Sequence, residues 1–434
     1  MDIVAILWDE SYLWGLLVWR ALRALGLPQR VIRSKEIAQE CLSSKRPVVI
    51  VAPGGVARRK AASLGQAGMK VLREYVASGG AYVGFCGGAG LGLTGQNGLG
   101  LCPWRRSEVQ ERLLHLMSGH IQVRPLAGHR LVPTVFRPKS GHEPNELALV
   151  PVWWPARFAP EVGDTVTVLA TYEAPGPDFW ITDLPLASLP MGTLHYWEKT
   201  YGVRLRPTSL TGQPCIVHGV YGRGEYVLSY AHLETPDSPD ANTWLFHLLS
   251  TLIDGSETKK STNEHKTVLI PTWDPATEPV RWEHPTLESA WKTIQNVLAL
   301  GREHFLLFTR NNWLMGWRSG IPGAHLNHLH ALTCQARTLP ATADATTFLE
   351  ARQTTFLEAL AAFQREATGY LMAERLAITL SSTMPNAVSQ ESLKRQRAAL
   401  FGQAMEQNGL FAVLQEVLDE LVWRQLQGAE VQTG

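Results

Sequence analysis

The sequence predicts an α/β fold with a doubly wound, mostly parallel sheet, followed by an all-α helical bundle. Two observations carry this prediction. In the first half of the chain, short apolar runs that suit buried strands alternate with segments whose apolar residues recur at helical spacing. Beyond residue 285, the apolar residues recur at helical spacing in long segments with short connections, which is typical of an antiparallel bundle.

The elements of the first half follow the order strand, helix, strand, helix, strand. Because parallel strands are joined by right-handed crossovers, this order brings the carboxyl ends of the strands to one edge of the sheet, where ligands bind in doubly wound folds. A hairpin with a glycine-rich turn then extends the sheet. We expect strands at 1–8, 48–52, 81–85, 164–172, 215–220 and 225–231, and helices at 12–25, 66–77 and 242–253.

Composition divides the chain into three parts. Residues 256–266 are polar and charged without apolar periodicity, which predicts a linker. This linker separates an α/β domain, residues 1–255, from a helical domain, residues 267–434. Within the α/β domain, the prolines and aromatic residues of 173–214 predict a long irregular insertion. The helices of the bundle are expected at 286–300, 324–336, 346–380, 389–408 and 410–426.

Composition also excludes several classes of partner. The net charge is +1 at neutral pH and no run of lysine or arginine stands out, so neither nucleic acid nor a membrane surface is an expected partner. No stretch approaches the roughly 18 apolar residues of a membrane span, and residues 1–8 lack the basic start of a signal peptide. The five cysteines form neither a CxxC pair nor a disulfide framework, which suits a reducing cytoplasm.

Neither a metal nor a cofactor is expected. The segment HLNHLH, residues 325–330, places His325 and His328 on one helical face, but no cysteine or carboxylate stands nearby at ligand spacing. We therefore interpret this segment as a solvated or hydrogen-bonded histidine face.

The stretch GGAYVGFCGGAG, residues 79–90, places Cys86 where a buried strand stops and reverses into a helix. The glycines on both sides permit a strained strand-to-helix turn, which is the geometry of a nucleophile elbow. Such a turn points backbone amides, that of Gly87 first, at the group that the cysteine attacks, and the dipole of the following helix favours the thiolate. The alternative is an inert core cysteine, since free cysteines are usually buried.

The triplet His232-Leu233-Glu234 follows the predicted hairpin and supplies the second half of a candidate site. Side chains two residues apart in an extended backbone point the same way, so Glu234 can fix the tautomer of His232 and raise its basicity. His232 is then the candidate base for Cys86. The alternative is a solvated histidine and a surface carboxylate at the end of a strand.

Two further loops are expected at the same edge of the sheet. Asp9 and Glu10 follow the first strand, and Gly54 and Gly55 follow the second. Because the carboxyl ends of parallel strands share one edge, these loops should converge with Cys86 on one crevice. Asp9 and Glu10 are accessory candidates, since a carboxylate facing the sulfur would oppose thiolate formation.

Four segments of the α/β domain occur in the order APGG at 52–55, GGAYVGFCGGA at 79–89, VLATY at 168–172 and YGRGEYVLSYAHLE at 221–234. Together they resemble the biotin-protein ligase N-terminal domain family, over roughly residues 1–255. That family belongs to the class I glutamine amidotransferase-like superfamily, so the resemblance implies a flavodoxin-like α/β fold.

The resemblance also implies roles for individual residues. Cys86 would be the nucleophile, His232 its general base and Glu234 the acid that orients the imidazole. Backbone amides of two glycine loops would form the oxyanion hole. The residues assigned to the oxyanion hole and to substrate binding are Gly54, Gly55 and Gly87.

The chain departs from this pattern in three ways. Gly90 stands where the GxCxGxQ motif of glutaminases has a glutamine that helps to hold the substrate, and the His-Pro-Glu signature is His-Leu-Glu. The biotinyl-adenylate loop of a biotin ligase is absent, so this protein is not expected to be a biotin ligase. Two hypotheses stay open: an amidotransferase-like cysteine hydrolase acting on a small-molecule or amide substrate, or a catalytically silent binding or regulatory module whose residues 267–434 contact a protein partner.

Overall fold

The computed structural model describes residues 3–42, 46–107, 117–136, 147–161, 165–255, 268–318, 320–402 and 408–431. The chain forms two compact units, Met1–Thr272 and Trp273–Gly434. The predicted linker, 256–266, lies outside the described residues, so the predicted division into domains stays a prediction.

The first unit contains thirteen described strands and six described α-helices. The strands are β1 (Val4–Leu7), β2 (Gln29–Ile32), β3 (Val49–Ala52), β4 (Ala81–Phe85), β5 (Arg105–Arg106), β6 (Met117–Pro125), β7 (Ala148–Trp153), β8 (Phe158–Ala159), β9 (Thr167–Pro175), β10 (Trp180–Ile181), β11 (Leu184–Pro185), β12 (Pro214–Tyr221) and β13 (Gly224–Ser229). The helices are α1 (Tyr12–Ala24), α2 (Ile37–Leu42), α3 (Ala57–Ala77), α4 (Gly87–Gly92), α5 (Thr193–Tyr201) and α6 (Pro239–Asp254).

Eleven of the described strands form one sheet, in the order β11-β10-β6-β9-β12-β13-β4-β3-β1-β2, with β7 paired to β6. Five strands form the parallel part of this sheet, in the order β2, β1, β3, β4 and β13. The inner strands β1, β3 and β4 are buried along their whole length, as expected for parallel strands covered on both faces. The predicted doubly wound α/β fold is confirmed, and an antiparallel part built from β12, β9, β6 and their neighbours extends it.

Several elements differ from the sequence prediction. The prediction omitted β2 and α2, which follow the first helix as short, partly polar segments. Helix α3 begins nine residues before the predicted start at residue 66, and Gly65 interrupts it with a φ of 61°, which hides the continuity of the pattern. The segment 173–214, predicted to be irregular, contains β10, β11 and α5, so that prediction was wrong in part.

The second unit is helical, as predicted, and also contains a short hairpin. Its elements are α7 (Pro285–Glu303), β14 (Leu307–Thr309), β15 (Met315–Trp317), α8 (Gly323–Thr338), α9 (Ala343–Leu380), α10 (Gln390–Phe401) and α11 (Gly409–Val431). Helix α9 packs against α7 and α11, and α8 packs against the same two helices, which is the arrangement of a bundle.

The histidines of α8 pack inside this unit. The His330 ring nitrogen Nε2 lies 3.0 Å from Nε2 of Gln295, and the His325 ring packs edge-on against Phe411. Burial lowers the pKa of His330 to about 4 and that of His328 to about 3, so both rings are neutral at pH 7. Among the described residues, no three His, Cys, Asp or Glu side chains are grouped to hold a metal ion. No helix in the described ranges is both long and apolar enough to cross a membrane.

Candidate functional site

Cys86 occupies the turn between β4 and α4. Its backbone angles, φ 48° and ψ −102°, lie in a region that residues with side chains rarely adopt. The Cys86 amide donates a 2.8 Å hydrogen bond to the carbonyl oxygen of Ser229, the last residue of the neighbouring strand β13. The turn is therefore strained and tied to the sheet, and its cysteine side chain is partly exposed.

The glycines of the elbow allow it to approach the loop that follows β3. A side chain at Gly87 would overlap the carbonyl oxygen of Gly55, and one at Gly88 would overlap that of Ala52. Glycine is therefore required at both positions for the backbones to come this close. As the first residue of α4, Gly87 also has an amide that finds no acceptor inside the helix.

His232 reaches the elbow because β13 lies beside β4. The two strands are parallel and in register, with Ser229 opposite Phe85. Beyond β13 the chain turns through a hydrogen bond from Ser229 Oγ to the Ala231 carbonyl oxygen, at 2.6 Å, and the His232 amide donates to the Pro151 carbonyl oxygen at 2.9 Å. Sheet pairing thus carries two residues far apart in sequence to adjacent strand ends.

Glu234 contacts the other side of the imidazole. His232 Nδ1 lies 2.7 Å from Glu234 Oε1, and neither side chain is exposed. In the described part of the chain, His232 Nε2 has no hydrogen bond of regular geometry. The Cys86 thiol and the imidazole interact through charge and hydrogen bonding, which shift the pKa values of both groups.

Cys86 and His232 perturb each other's ionisation. Burial raises the pKa of the Cys86 thiol, but the hydrogen bond and positive charge of His232, with the charge of Arg106, outweigh it, so the pKa lies below its ordinary value. Burial lowers the pKa of the His232 imidazole, but the Glu234 carboxylate and the Cys86 thiol more than offset it and raise this pKa to about 10. The lowered pKa of Cys86 and the raised pKa of His232 both favour a thiolate–imidazolium pair at neutral pH.

An aromatic wall supports His232. The Trp14 ring lies 4.7 Å from the imidazole, centroid to centroid, and Trp154 meets Trp14 edge-on at 5.9 Å. A Cβ atom at Gly54 would lie 2.8 Å from Trp14 Cγ and 3.2 Å from His232 Cε1. Gly54 therefore leaves room for the two rings.

The loop after β1 also reaches this edge, but its carboxylates are engaged by arginines. A side chain at Gly55 would overlap the Glu10 carbonyl oxygen, which places the two loops against each other. Asp9 Oδ1 accepts a 3.1 Å hydrogen bond from Arg33, and Glu10 Oε2 accepts one of 2.7 Å from Arg59. The charges that act on the Cys86 thiol come instead from His232, Arg106 and Glu234, so an accessory role for Asp9 or Glu10 stays a prediction without further support.

Sequence reasoning missed the residues that hold the His232 loop. Asn242, in α6, donates from Nδ2 to the carbonyl oxygens of Leu233 and Thr235 at 3.1 and 2.8 Å. Its Oδ1 accepts from the amide of Ile270 at 2.9 Å. A buried asparagine at the start of a predicted helix was the available signal, because a buried amide needs partners.

A second hydrogen-bond network, formed by three side chains, lies in the antiparallel part of the unit. His120 Nε2 is 2.9 Å from Ser238 Oγ, and His120 Nδ1 is 2.9 Å from Asp178 Oδ2. Ser238 is 1% exposed, and its hydroxyl also lies 3.2 Å from the carbonyl oxygen of Pro236. We interpret this network as a structural link between β6 and the start of α6, because the buried Ser238 hydroxyl is inaccessible to a substrate.

Comparison with known proteins places a family match on the first part of the chain. Residues 29–94 match the family model described as biotin-protein ligase, N terminal. This range includes the Gly54-Gly55 loop, the strand β4 and Cys86. The resemblance predicted from the sequence is therefore confirmed over these residues. No curated protein matches the chain.

Three solved structures are each covered almost completely by a match to 58–60% of this chain. A candidate GMP synthase component from Thermoplasma acidophilum is 13% identical, with 60% of this chain and 98% of that chain covered and a TM-score of 0.37. PurLQS from Thermotoga maritima is 12% identical, with 58% and 99% covered and a TM-score of 0.38. A glutamine amidotransferase from Thermotoga maritima is 11% identical, with 58% and 98% covered and a TM-score of 0.33.

Proposed function

We propose that the first unit is an amidotransferase-like cysteine hydrolase that acts on an amide or related acyl substrate through Cys86, His232 and Glu234. The observation that carries the proposal is the buried His232–Glu234 pair beside a thiol that lies on a strained elbow and has a lowered pKa. A structural cysteine in the same core would have a raised pKa, as Cys41 does, at about 12. The family match over residues 29–94 agrees with this proposal.

The chemistry follows from these groups. The Cys86 thiolate attacks the substrate carbonyl carbon, and the amides of Gly87 and Gly55 are the candidate donors to the oxyanion that forms. His232, as imidazolium, donates its proton to the departing amine as the C–N bond breaks, which leaves a thioester on Cys86. Neutral His232 then takes a proton from water, which attacks the thioester carbonyl carbon; the C–S bond breaks and releases the acid and the Cys86 thiolate, which restores the thiolate–imidazolium pair. Glu234 keeps the imidazole oriented and stabilises its charge.

The alternative is a catalytically silent binding or regulatory module on the same fold. The absence of the substrate-holding glutamine at Gly90 favours this alternative. A Cβ atom at that position would lie 3.2 Å from the Cβ of Ala57, so a longer side chain there would displace α3 or turn away. In this alternative, residues 267–434 would bind a protein partner.

Selective labelling tests the proposal. Limiting iodoacetamide at pH 7, followed by peptide mass spectrometry, should modify Cys86 far faster than the buried Cys41 and Cys334, whose pKa values burial raises to about 12. The variant His232→Ala should lose this preference. Ammonia release from a panel of primary amides, with Cys86→Ser as the control, then separates an enzyme from a module. Equal labelling of Cys86 in the wild type and in His232→Ala would reject the triad.

The state of the cysteines supports a proposal for the cellular compartment. All five cysteines lie in described positions and all are free thiols. An oxidising compartment would expose the partly accessible Cys86 to modification, so we propose a reducing cytoplasm as the site of action.

A further inference from the structure

The surroundings of Cys86 contain a cation that the chemistry above does not use. Arg106 is an exposed residue of β5, and its positive charge acts on the Cys86 thiol and on the Tyr230 hydroxyl. No acidic side chain in the described part of the chain forms an ion pair with it. The preceding residue, Arg105, is also exposed, but it lies 3.8 Å from the Glu161 carboxylate.

Two contacts connect the strand that carries Arg106 to the end of β13. Arg106 pairs with Phe158 in the β5–β8 ribbon, and the Phe158 ring packs against the Tyr230 ring at a tilt of 38°, with 4.4 Å between the ring centroids. Tyr230 immediately follows β13 and precedes His232 by two residues. Backbone pairing and ring packing thus connect Arg106 to the strand end that carries His232.

Tyr230 supplies a second observation. It is 3% exposed, and its hydroxyl has no hydrogen-bond partner among the described residues. Burying a hydroxyl without a partner costs free energy, and an acceptor atom bound beside Cys86 would remove that cost. A guanidinium and a phenol hydroxyl both donate to the oxygens of a carboxylate, and the charge of Arg106 acts on this hydroxyl.

We infer that Arg106 and Tyr230 form an anion subsite, so that the acyl substrate of Cys86 carries a carboxylate close to the carbon that the thiolate attacks. This inference rests on the proposed function. It gives the site an anchor of its own where glutaminases use the glutamine that Gly90 replaces. Arg106 is a specificity residue in this inference, since it holds the substrate and takes no part in bond breaking.

Two alkylating agents of similar size test the subsite. Iodoacetate carries a carboxylate beside its reactive carbon, whereas iodoacetamide is neutral there. Both react with the same thiolate, so the ratio of their rates at Cys86 cancels any change in the pKa of the thiol. Arg106→Gln should lower the iodoacetate-to-iodoacetamide ratio about threefold or more, because a nearby positive charge is lost. Tyr230→Phe should lower it less, and Arg105→Gln should leave it unchanged.

The possible outcomes distinguish failure of the anion subsite from failure of the proposed function. An unchanged ratio in Arg106→Gln, with rapid iodoacetamide labelling retained, overturns the subsite and leaves the nucleophile intact. If the iodoacetate-to-iodoacetamide ratio falls equally in Arg106→Gln and Arg105→Gln, the effect comes from the general positive charge of the surface, and the subsite is also overturned. Slow labelling of wild-type Cys86 by iodoacetamide rejects the proposed function, and this inference with it.

Protection of the wild-type protein tests the subsite without a variant. N-acetylglycine, which carries a carboxylate, should protect Cys86 from iodoacetamide at a lower concentration than N-acetylglycinamide does. Equal protection by the two compounds would overturn the subsite even if Arg106→Gln failed to fold.

Discussion

His232 Nδ1 and Glu234 Oε1 lie 2.7 Å apart, and both side chains are completely buried. Removing two ionisable groups from water is costly, and a single well-formed hydrogen bond with their mutual attraction must offset that cost. The charges of this buried pair act on Cys86, which is itself partly exposed. The charge that activates the thiol is therefore shielded from solvent, and the thiol stays within reach of a ligand.

The variant Glu234→Gln should slow alkylation of Cys86 at pH 7 about tenfold, because the carboxylate that raises the pKa of His232 is lost and less imidazolium remains. It should also lower the free energy of unfolding by about 3 kcal/mol, since a buried imidazole loses its ionic partner. Iodoacetamide kinetics and chemical denaturation measure the two effects. Glu225→Gln is the matched control, because Glu225 pairs with His218 at 2.9 Å. Equal slowing in both variants would contradict the prediction.

The pH profile of Cys86 alkylation should have a midpoint below that of an ordinary cysteine, since the thiol pKa is lowered. In His232→Ala the hydrogen bond and the imidazolium charge are lost while most of the burial remains, so the midpoint should move above the ordinary value. Stopped-time alkylation between pH 5 and pH 10 gives both midpoints. Coincident profiles would mean that His232 does not activate the thiol.

The His232–Glu234 pair should make stability pH-dependent. Because the pKa of His232 is raised to about 10 in the folded protein, its contribution is complete below the unfolded value of 6.5 and is lost as the pH rises towards 10. The lowered pKa of Cys86 acts in the opposite direction, so the variant Cys86→Ala isolates the effect. Its free energy of unfolding should fall from pH 6.5 to pH 10, and the double variant with Glu234→Gln should show a flatter dependence. The same slope in both would refute the linkage.

Gly87→Ala should destabilise the protein by about 2 kcal/mol or more, because the added methyl group would overlap the Gly55 carbonyl oxygen at the elbow. Gly369→Ala is the control. That position lies in α9, is exposed and has open space around it, so alanine there should stabilise by about 0.5–1 kcal/mol through helix propensity. Thermal unfolding of both variants checks the prediction, and a neutral Gly87→Ala would show that the elbow relaxes freely.

A fragment of residues 1–272 should be more stable than a fragment of residues 1–255. The amide of Ile270 donates to Asn242, its carbonyl oxygen accepts from Asp237 at 2.9 Å, and its side chain is 2% exposed. The shorter fragment loses these contacts next to the His232 loop. Denaturant unfolding of the two purified fragments measures the difference, and equal midpoints would show that 268–272 contributes nothing.

Local sequence pattern sufficed for part of this architecture. The apolar runs of β1, β3 and β4 and the long helices of the second unit follow periodicities that are visible within ten to twenty residues. The glycines around Cys86 indicated the strained turn. The spacing of His232 and Glu234 predicted that their side chains meet, and they do, but through a turn that the Thr235 amide closes onto the His232 carbonyl oxygen and not through an extended segment. Strand β2 and helix α2 were not predicted, because each is short and partly polar and therefore has a weak hydrophobic pattern.

The sequence by itself thus determined the elements and the chemical groups, each through interactions between near neighbours in the chain. Tertiary structure decided which groups meet. Strand β13 lies beside β4 although well over a hundred residues separate them, and this pairing places His232 next to Cys86. The pairing of Asp9 with Arg33 and of Glu10 with Arg59 depends in the same way on loop packing. So does the contact between the Phe158 and Tyr230 rings. The physical reason is that periodicity records which side of an element is buried, whereas a contact between distant residues depends on the order of strands in the sheet, which no local pattern encodes.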